Sequence, residues 1–437
     1  MALASSTLEN RTVRKVTRRI VPFIFLLYIV AYLDRANIGY AGLEMNKELG
    51  LTSEVFGIVA GIFFLGYFIF EVPSNILLQK YGARVWIARI LVTWGIISVA
   101  TGFAQNDTQL YFIRFFLGVA EAGFFPGIIL YFTYWFRAKE RAVTISMFSM
   151  AIPVSYIIGA PLSTWIMDNI NWMDISGWRW MFILEGVPAF LLGIATYFLL
   201  TERPKDAKWL TKEEKQWLSD ELDKEKDLVK TEKGHIEALK NPKVWYLSLI
   251  HFVFLTGSLG VGYWMPQIIK GFSDVLTNTQ IGLIATIPYI TAAILMTFWS
   301  KRSDRKGERI LHSALPLLLA AVALLGAGYV SNPYAAMLFI TIALTGLYSF
   351  KGPFWALPSM VLSHATMAVG VAVINSVGNL GGFIGPYVVG MLKDSTGSTR
   401  AGLYFLSIML LSGFLMLLFS KREKQVTTTA KVNDRVI

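Results

Sequence analysis

Four ionisable residues stand inside stretches that otherwise read as soluble in hydrocarbon. Asp34 and Arg35 sit side by side in YLDRANIG, and Arg114 and Glu121 are seven residues apart in RFFLGVAE. A charge at the centre of a membrane-spanning helix costs roughly 2.5–3.5 kcal/mol even on lenient scales. Two acids and two bases sum to zero when all ionise, and charges persist in a bilayer when they face inward and pair. Seven residues are about two helical turns, or ~10.5 Å, so Arg114 and Glu121 share one helix face at different depths. One use for such a quartet is structural, as salt bridges locking two helices. Small residues, plentiful here, would join those helices without any charge. The other use is chemical. In an empty site the arginines are balanced by the ionised acids, and an arriving carboxylate competes for the same cations. A nearby acid then feels added negative charge, which favours its protonation. Anion and proton thereby stabilise each other's occupancy, which is the logic of symport.

The elements that must position these residues follow from composition. Of 437 residues, 54% are hydrophobic and only 16% charged, against about 25% charged in a soluble domain. Crossing a ~30 Å hydrocarbon core takes about 20 apolar residues. Twelve stretches qualify: 20–41, 55–79, 85–104, 109–135, 141–167, 179–200, 243–268, 279–300, 308–330, 334–359, 365–391 and 400–420. The expected class is an all-α polytopic membrane protein. Basic residues crowd alternate connections, among them Arg14, Lys15, Arg18, Arg19, Arg137, Lys139, Arg305 and Lys306. The positive-inside rule then places both termini in the cytoplasm, in keeping with an even number of spans. The basic lead runs straight into an apolar stretch too long for a signal peptide, so no cleaved leader is expected. There is no cysteine, and the four histidines (His235, His251, His312 and His364) are scattered. No nucleophile–base pair, metal cluster or cofactor motif emerges, so the chain is expected to be no enzyme and to hold no cofactor or metal.

The chain divides into a tail over 1–19, a six-helix bundle over 20–200, a linker over 201–242, a second bundle over 243–420 and a tail over 421–437. In the linker, Thr211-Lys-Glu-Glu214 has the form of a capping box. Trp209, Leu210, Trp217, Leu218 and Leu222 then recur at helical spacing, predicting a short amphipathic helix at the cytoplasmic surface. The bundles repeat. Gly82 in QKYGAR and Gly307 in SDRKGER lie 225 residues apart, as do Pro161 and Pro386 in the fifth and eleventh stretches. A six-plus-six duplication is a pattern of secondary transporters, with a midplane site.

The glycine-containing basic loops at Lys80, Gly82 and Arg84 and at Asp304, Arg305 and Gly307 resemble the signature loop of the major facilitator superfamily. The first copy departs from the pattern, with Gln79 for the usual Asp and Asn75 for the usual Gly. Within that superfamily YLDRANIG, FEVPSN, RFFLGVAEAGFFPG, GWRWMFILEG, YWMPQIIK and GPFWALPS are similar to the anion–cation symporter family. The resemblance implies a twelve-helix major facilitator fold whose loops control switching. It also implies proton-coupled uptake of a small organic anion, such as a sugar acid, a tartrate-like acid or an aromatic carboxylate. Asp34 and Glu121 match proton-exchanging positions, Arg35 the residue gripping the substrate carboxylate, and Arg114 a partner of the acids. Tyr32, Tyr67, Trp355 and Asn375 match substrate contacts, and Asn379 lies one turn beyond Asn375. Lys351 departs from the family. It reads either as a handle for a second carboxylate or as a lysine that compensates Glu71 or reaches for an interface. Glu71 and Glu185 read as structural or gating acids, and His251 as a packing residue. A proton-independent uniporter or exchanger of the same fold is the alternative. The expected partners are the anion, protons and lipid, with no nucleic acid, in a monomer at a bacterial inner membrane.

Overall fold

A computed structural model describes residues 2–226, 234–273, 275–362 and 364–433. Part of the expected linker (227–233) and the end of the expected carboxy-terminal tail (434–437) lie outside the described residues. Twelve helices are long and apolar enough to cross a membrane: Thr7–Ala41, Ser53–Tyr81, Ala83–Thr101, Asp107–Thr133, Ala138–Asn169, Gly177–Leu199, Pro242–Lys270, Asn278–Lys306, Ile310–Tyr329, Pro333–Val361, Val369–Thr396 and Thr399–Ser420. They are called the first to twelfth spans below. No strand occurs among the described residues. Each expected stretch falls on one of these helices. The first helix starts well before the apolar run, at Ala2, because its polar lead is helical too.

The described chain forms two compact units, one of 1–41 with 62–232 and the other of 42–61 with 233–437. In the first unit, the second and fourth spans meet at backbone distance: a Cβ added to Gly118 would collide with the carbonyl oxygen of Phe63. Glycine there lets two main chains approach where any side chain would hold them apart. The fourth span, expected to be continuous, is broken into Asp107–Glu121 and Phe124–Thr133 by a left-handed Gly123, φ 85°. Outside the spans, the helix Lys212–Lys226 begins with a closed capping box: Glu214 N donates to Thr211 Oγ1 at 3.2 Å, and Thr211 N donates to Glu214 Oε2 at 2.9 Å. In the second unit, the amino end of the second span is capped by Asp394, which accepts from Ser53 N at 3.0 Å and Glu54 N at 2.7 Å. The free N–H groups of a helix start call for such an acceptor.

Candidate substrate and proton site

Neighbouring residues of a helix point about 100° apart, and Asp34 and Arg35 accordingly serve different surroundings. Arg35 turns to the second and fourth spans. Its Nε and Nη2 both reach Oε1 of Glu121, at 2.7 and 2.5 Å. The guanidinium lies 5.2 Å from the ring centre of Tyr32 and 5.3 Å from those of Phe63 and Tyr67, an aromatic cage that shields the charge. Arg114 is buried against the same Phe63, 5.5 Å from its centre. Glu121 is fully buried, and its second oxygen, Oε2, has no hydrogen-bond donor. Arg114 and Asp34 also act on it electrostatically.

Asp34 turns to the third span instead. Its Oδ2 accepts from Trp94 Nε1 at 2.7 Å, and its Oδ1 accepts from Ser98 Oγ and from Asn37 Nδ2, the latter at 3.4 Å. All three donors are neutral, and no ion pair to Asp34 occurs among the described residues. The same Asn37 Nδ2 donates to Glu185 Oε2 at 3.1 Å, and Ser163 Oγ donates to Glu185 Oε1 at 2.6 Å. The first unit therefore gathers Tyr32, Arg35, Tyr67, Arg114 and Glu121 into one cluster and sets Asp34 in an adjoining network with Glu185. Trp94, Ser98, Asn37 and Ser163 were not singled out from sequence, and nothing in residue type distinguishes them from ordinary packing residues.

In the second unit Lys351 and Trp355 lie one turn apart on the tenth span. The ammonium of Lys351 is 4.4 Å from the ring centre of Tyr348. Trp355 packs edge-on against His251, ring centres 5.0 Å apart, and Phe354 stacks on the same imidazole at 5.3 Å. Gly378 faces that ring so closely that a Cβ there would overlap it. Asn375, one turn before Gly378, and Asn379, next to it, are half-buried on the eleventh span. His251 is buried and its Nδ1 has no hydrogen-bond partner, which a merely packed histidine would be expected to have.

The profile of the Major Facilitator Superfamily matches residues 24–276 and 273–435. The chain belongs to the major facilitator superfamily. A protein of Agrobacterium vitis named "Putative tartrate transporter" is 46% identical over 99% of this chain and 96% of its own. A quinolone resistance transporter of Acinetobacter baumannii is 39% identical over 97% and 98%. A solved D-xylose–proton symporter shares the fold with a TM-score of 0.72 at 15% identity, covering 91% of this chain and 96% of its own. The relatives and the fold are those of transporters rather than enzymes, and this major facilitator protein is a multi-pass membrane transporter of a small substrate.

The two major facilitator loops hold their glycines at helix junctions. Gly82 (φ 90°) precedes the third span, and Gly307 (φ 62°) closes the eighth. Both conformations favour glycine. After Gly82 the helix start is capped by Glu202, which accepts from Ala83 N and Arg84 N at 2.8 Å each. Lys80 lies over Tyr81 and Arg84 over Tyr197. In the second loop Asp304 pairs with Arg309 at 2.5 Å, while Arg305 is exposed. Glu202 was not anticipated: it is 120 residues further along the chain than Gly82, and only the fold brings it there.

Proposed function

We propose that this transporter takes up a small organic anion together with protons, by exposing the Arg35 cluster in turn to the two sides of the membrane. The observation that carries the reading is the grip of Arg35 on one oxygen of a fully buried Glu121, with the other oxygen lacking a donor. A substrate carboxylate suits the planar donor fork as well as Glu121 does. When it takes the fork, Glu121 loses its counter-charge and accepts a proton at Oε2, the position left open. Release of the anion returns Arg35 to Glu121 and expels the proton. Arg114 keeps the surroundings cationic throughout, and Tyr32 and Tyr67 wall the anion in.

Lys351 extends the reading to dicarboxylates. Every other described charged residue of the second unit's spans lies near a helix end, so Lys351 is its one cation deep in the apolar sequence. No ion pair to it occurs among the described residues. An anionic group of a substrate would supply its counter-charge within the second unit, where Trp355 lies one turn along the same helix. The tartrate in the relatives' names is a dicarboxylate of this kind. The test is uptake into proteoliposomes under an imposed pH step. Wild-type protein should accumulate substrate and move protons with it. Glu121→Gln should exchange substrate but neither accumulate it nor respond to pH. Accumulation by Glu121→Gln with unchanged pH dependence would refute the scheme, and trans-stimulation without proton flux would identify an exchanger.

A further inference from the structure

We infer that Glu185 is a third proton-carrying acid of the transport cycle, joined to Asp34 through the side-chain amide of Asn37. The inference rests on the symport reading above but concerns a different group. Glu185 stands eight residues into the sixth span, about 12 Å from its start, and is 6% exposed. An ionised carboxylate at such a place needs a cation, and no ion pair to it occurs among the described residues. Arg179, on the same helix, spends its Nη1 on the carbonyls of Gly102 and Ala104, at 3.0 and 2.7 Å. Arg35 is engaged with Glu121. From the first span the titratable groups facing it are Asp34 and Tyr40, and Tyr156 of the fifth span lies next to Tyr40. The third span offers Trp94 and Ser98 to Asp34 and no charge to Glu185. Among the described residues its hydrogen bonds come from Ser163 and Asn37, both neutral.

Burying an uncompensated carboxylate costs far more than burying a carboxylic acid, so a proton belongs here for at least part of the cycle. The receiving atoms are present. Asn37 Oδ1 is buried with no donor, and when the acid is protonated a turn of the amide that exchanges Oδ1 for Nδ2 lets that oxygen accept from the carboxylic O–H. Ser163 Oγ, 2.6 Å from Oε1, can accept from the acid as readily as donate to the carboxylate. The proton enters as H⁺ on a Glu185 oxygen and leaves as H⁺, with no other bond made or broken.

Infrared difference spectroscopy of the full-length protein in liposomes, titrated between about pH 5 and 8, tests this directly. The wild type should show the carbonyl stretch of a buried protonated carboxyl that changes with pH or with added tartrate. Glu185→Gln, which preserves volume and can accept from Asn37 Nδ2 while donating to Ser163 Oγ, should lack that band. Its tartrate counterflow should stay within about twofold of wild type, while the proton-to-substrate ratio falls by one. Glu185→Asp should keep the band at a shifted frequency. If Glu185→Gln retains every carboxyl band and the wild-type ratio, Glu185 is structural and the inference falls. Should the glutamine variant fail to fold, a wild-type spectrum with no buried protonated carboxyl at any pH overturns it equally. If the wild type shows the band but moves no protons with substrate, the symport reading fails and takes the carrying role of Glu185 with it, whereas a wild type that moves protons while Glu185→Gln keeps the full ratio overturns the Glu185 inference alone.

Discussion

Arg35 offers donors in a rigid fork, and the structure commits two of them to a single oxygen of Glu121. A lysine in its place keeps the charge and loses the fork. With a charge-assisted hydrogen bond contributing about 1.5–3 kcal/mol, Arg35→Lys should raise the substrate KM by roughly 10- to 100-fold in proteoliposome uptake. An unchanged KM would take the anion away from Arg35. Lys351→Gln makes a sharper demand: a dicarboxylate should lose about tenfold in affinity while a monocarboxylate of similar size loses none. An equal loss for both would return Lys351 to a structural role. These charged residues were legible in the sequence because hydrocarbon makes every ionisable group conspicuous. Their partners were not. Asp34 and Arg35 look like one unit on paper, yet a step of about 100° sends one carboxylate to Trp94 and Ser98 and the guanidinium to Glu121. His251 and Glu185 were read as packing or gating residues, since only coordinates reveal an imidazole nitrogen or a buried acid without the usual partner.

The fourth span shows how an element sets a residue. Its helix ends at Glu121, and Ser74 of the second span donates to the freed carbonyl of Ala122 at 2.5 Å. Gly123 then turns the chain at a positive φ, where an L side chain costs about 1–2 kcal/mol. A Cβ at that position would stand 2.5 Å from Ser74 Oγ, so Gly123→Ala adds a collision to the strain. It should lower thermal stability and displace Glu121, reducing uptake more than surface expression. Uptake and stability equal to wild type would show the break to be incidental. The apolar stretch 109–135 gave no hint of this interruption, because hydropathy counts residues and is blind to a single dihedral. The linker helix, by contrast, was announced by its capping box. Glu214 is fully buried there, and Arg11 Nε and Lys15 Nζ each reach it at 2.9 Å. Burial opposes its charge, but the Thr211 N–H, Lys15 and Arg11 outweigh it and hold the carboxyl down at about 2. The folded value lies below the ordinary one of about 4.5, so this contribution is complete above about pH 4.5 and is lost as pH falls toward about 2. The protection of the 212–226 amides, taken relative to their intrinsic exchange rate at each pH, should therefore fall on acidification through that window, and Glu214→Gln should show the lower protection already at neutral pH.

At the scale of the whole molecule, twelve spans and a duplicated plan were the most legible features, because length and repetition survive without knowledge of any contact. Gly82 and Gly307, 225 residues apart, both sit at helix junctions with positive φ. Pro161 and Pro386, at the same offset, both lie inside helices. Orientation rests on charge. Arginines and lysines crowd the connections that follow even-numbered spans, and the cost of carrying them across the bilayer favours keeping them in the cytoplasm. The chain contains no cysteine, so each single-cysteine variant reports without background. Thr108, exposed in the first turn of the fourth span, and Ser331, exposed before the tenth, become external sites under this topology. Glu213, exposed in the linker helix, and Lys306, exposed at the end of the eighth span, become internal ones. A membrane-impermeant maleimide applied to intact cells should label Thr108→Cys and Ser331→Cys, and should reach Glu213→Cys and Lys306→Cys only after permeabilisation. The reverse pattern would put both termini outside and overturn the orientation read from charge.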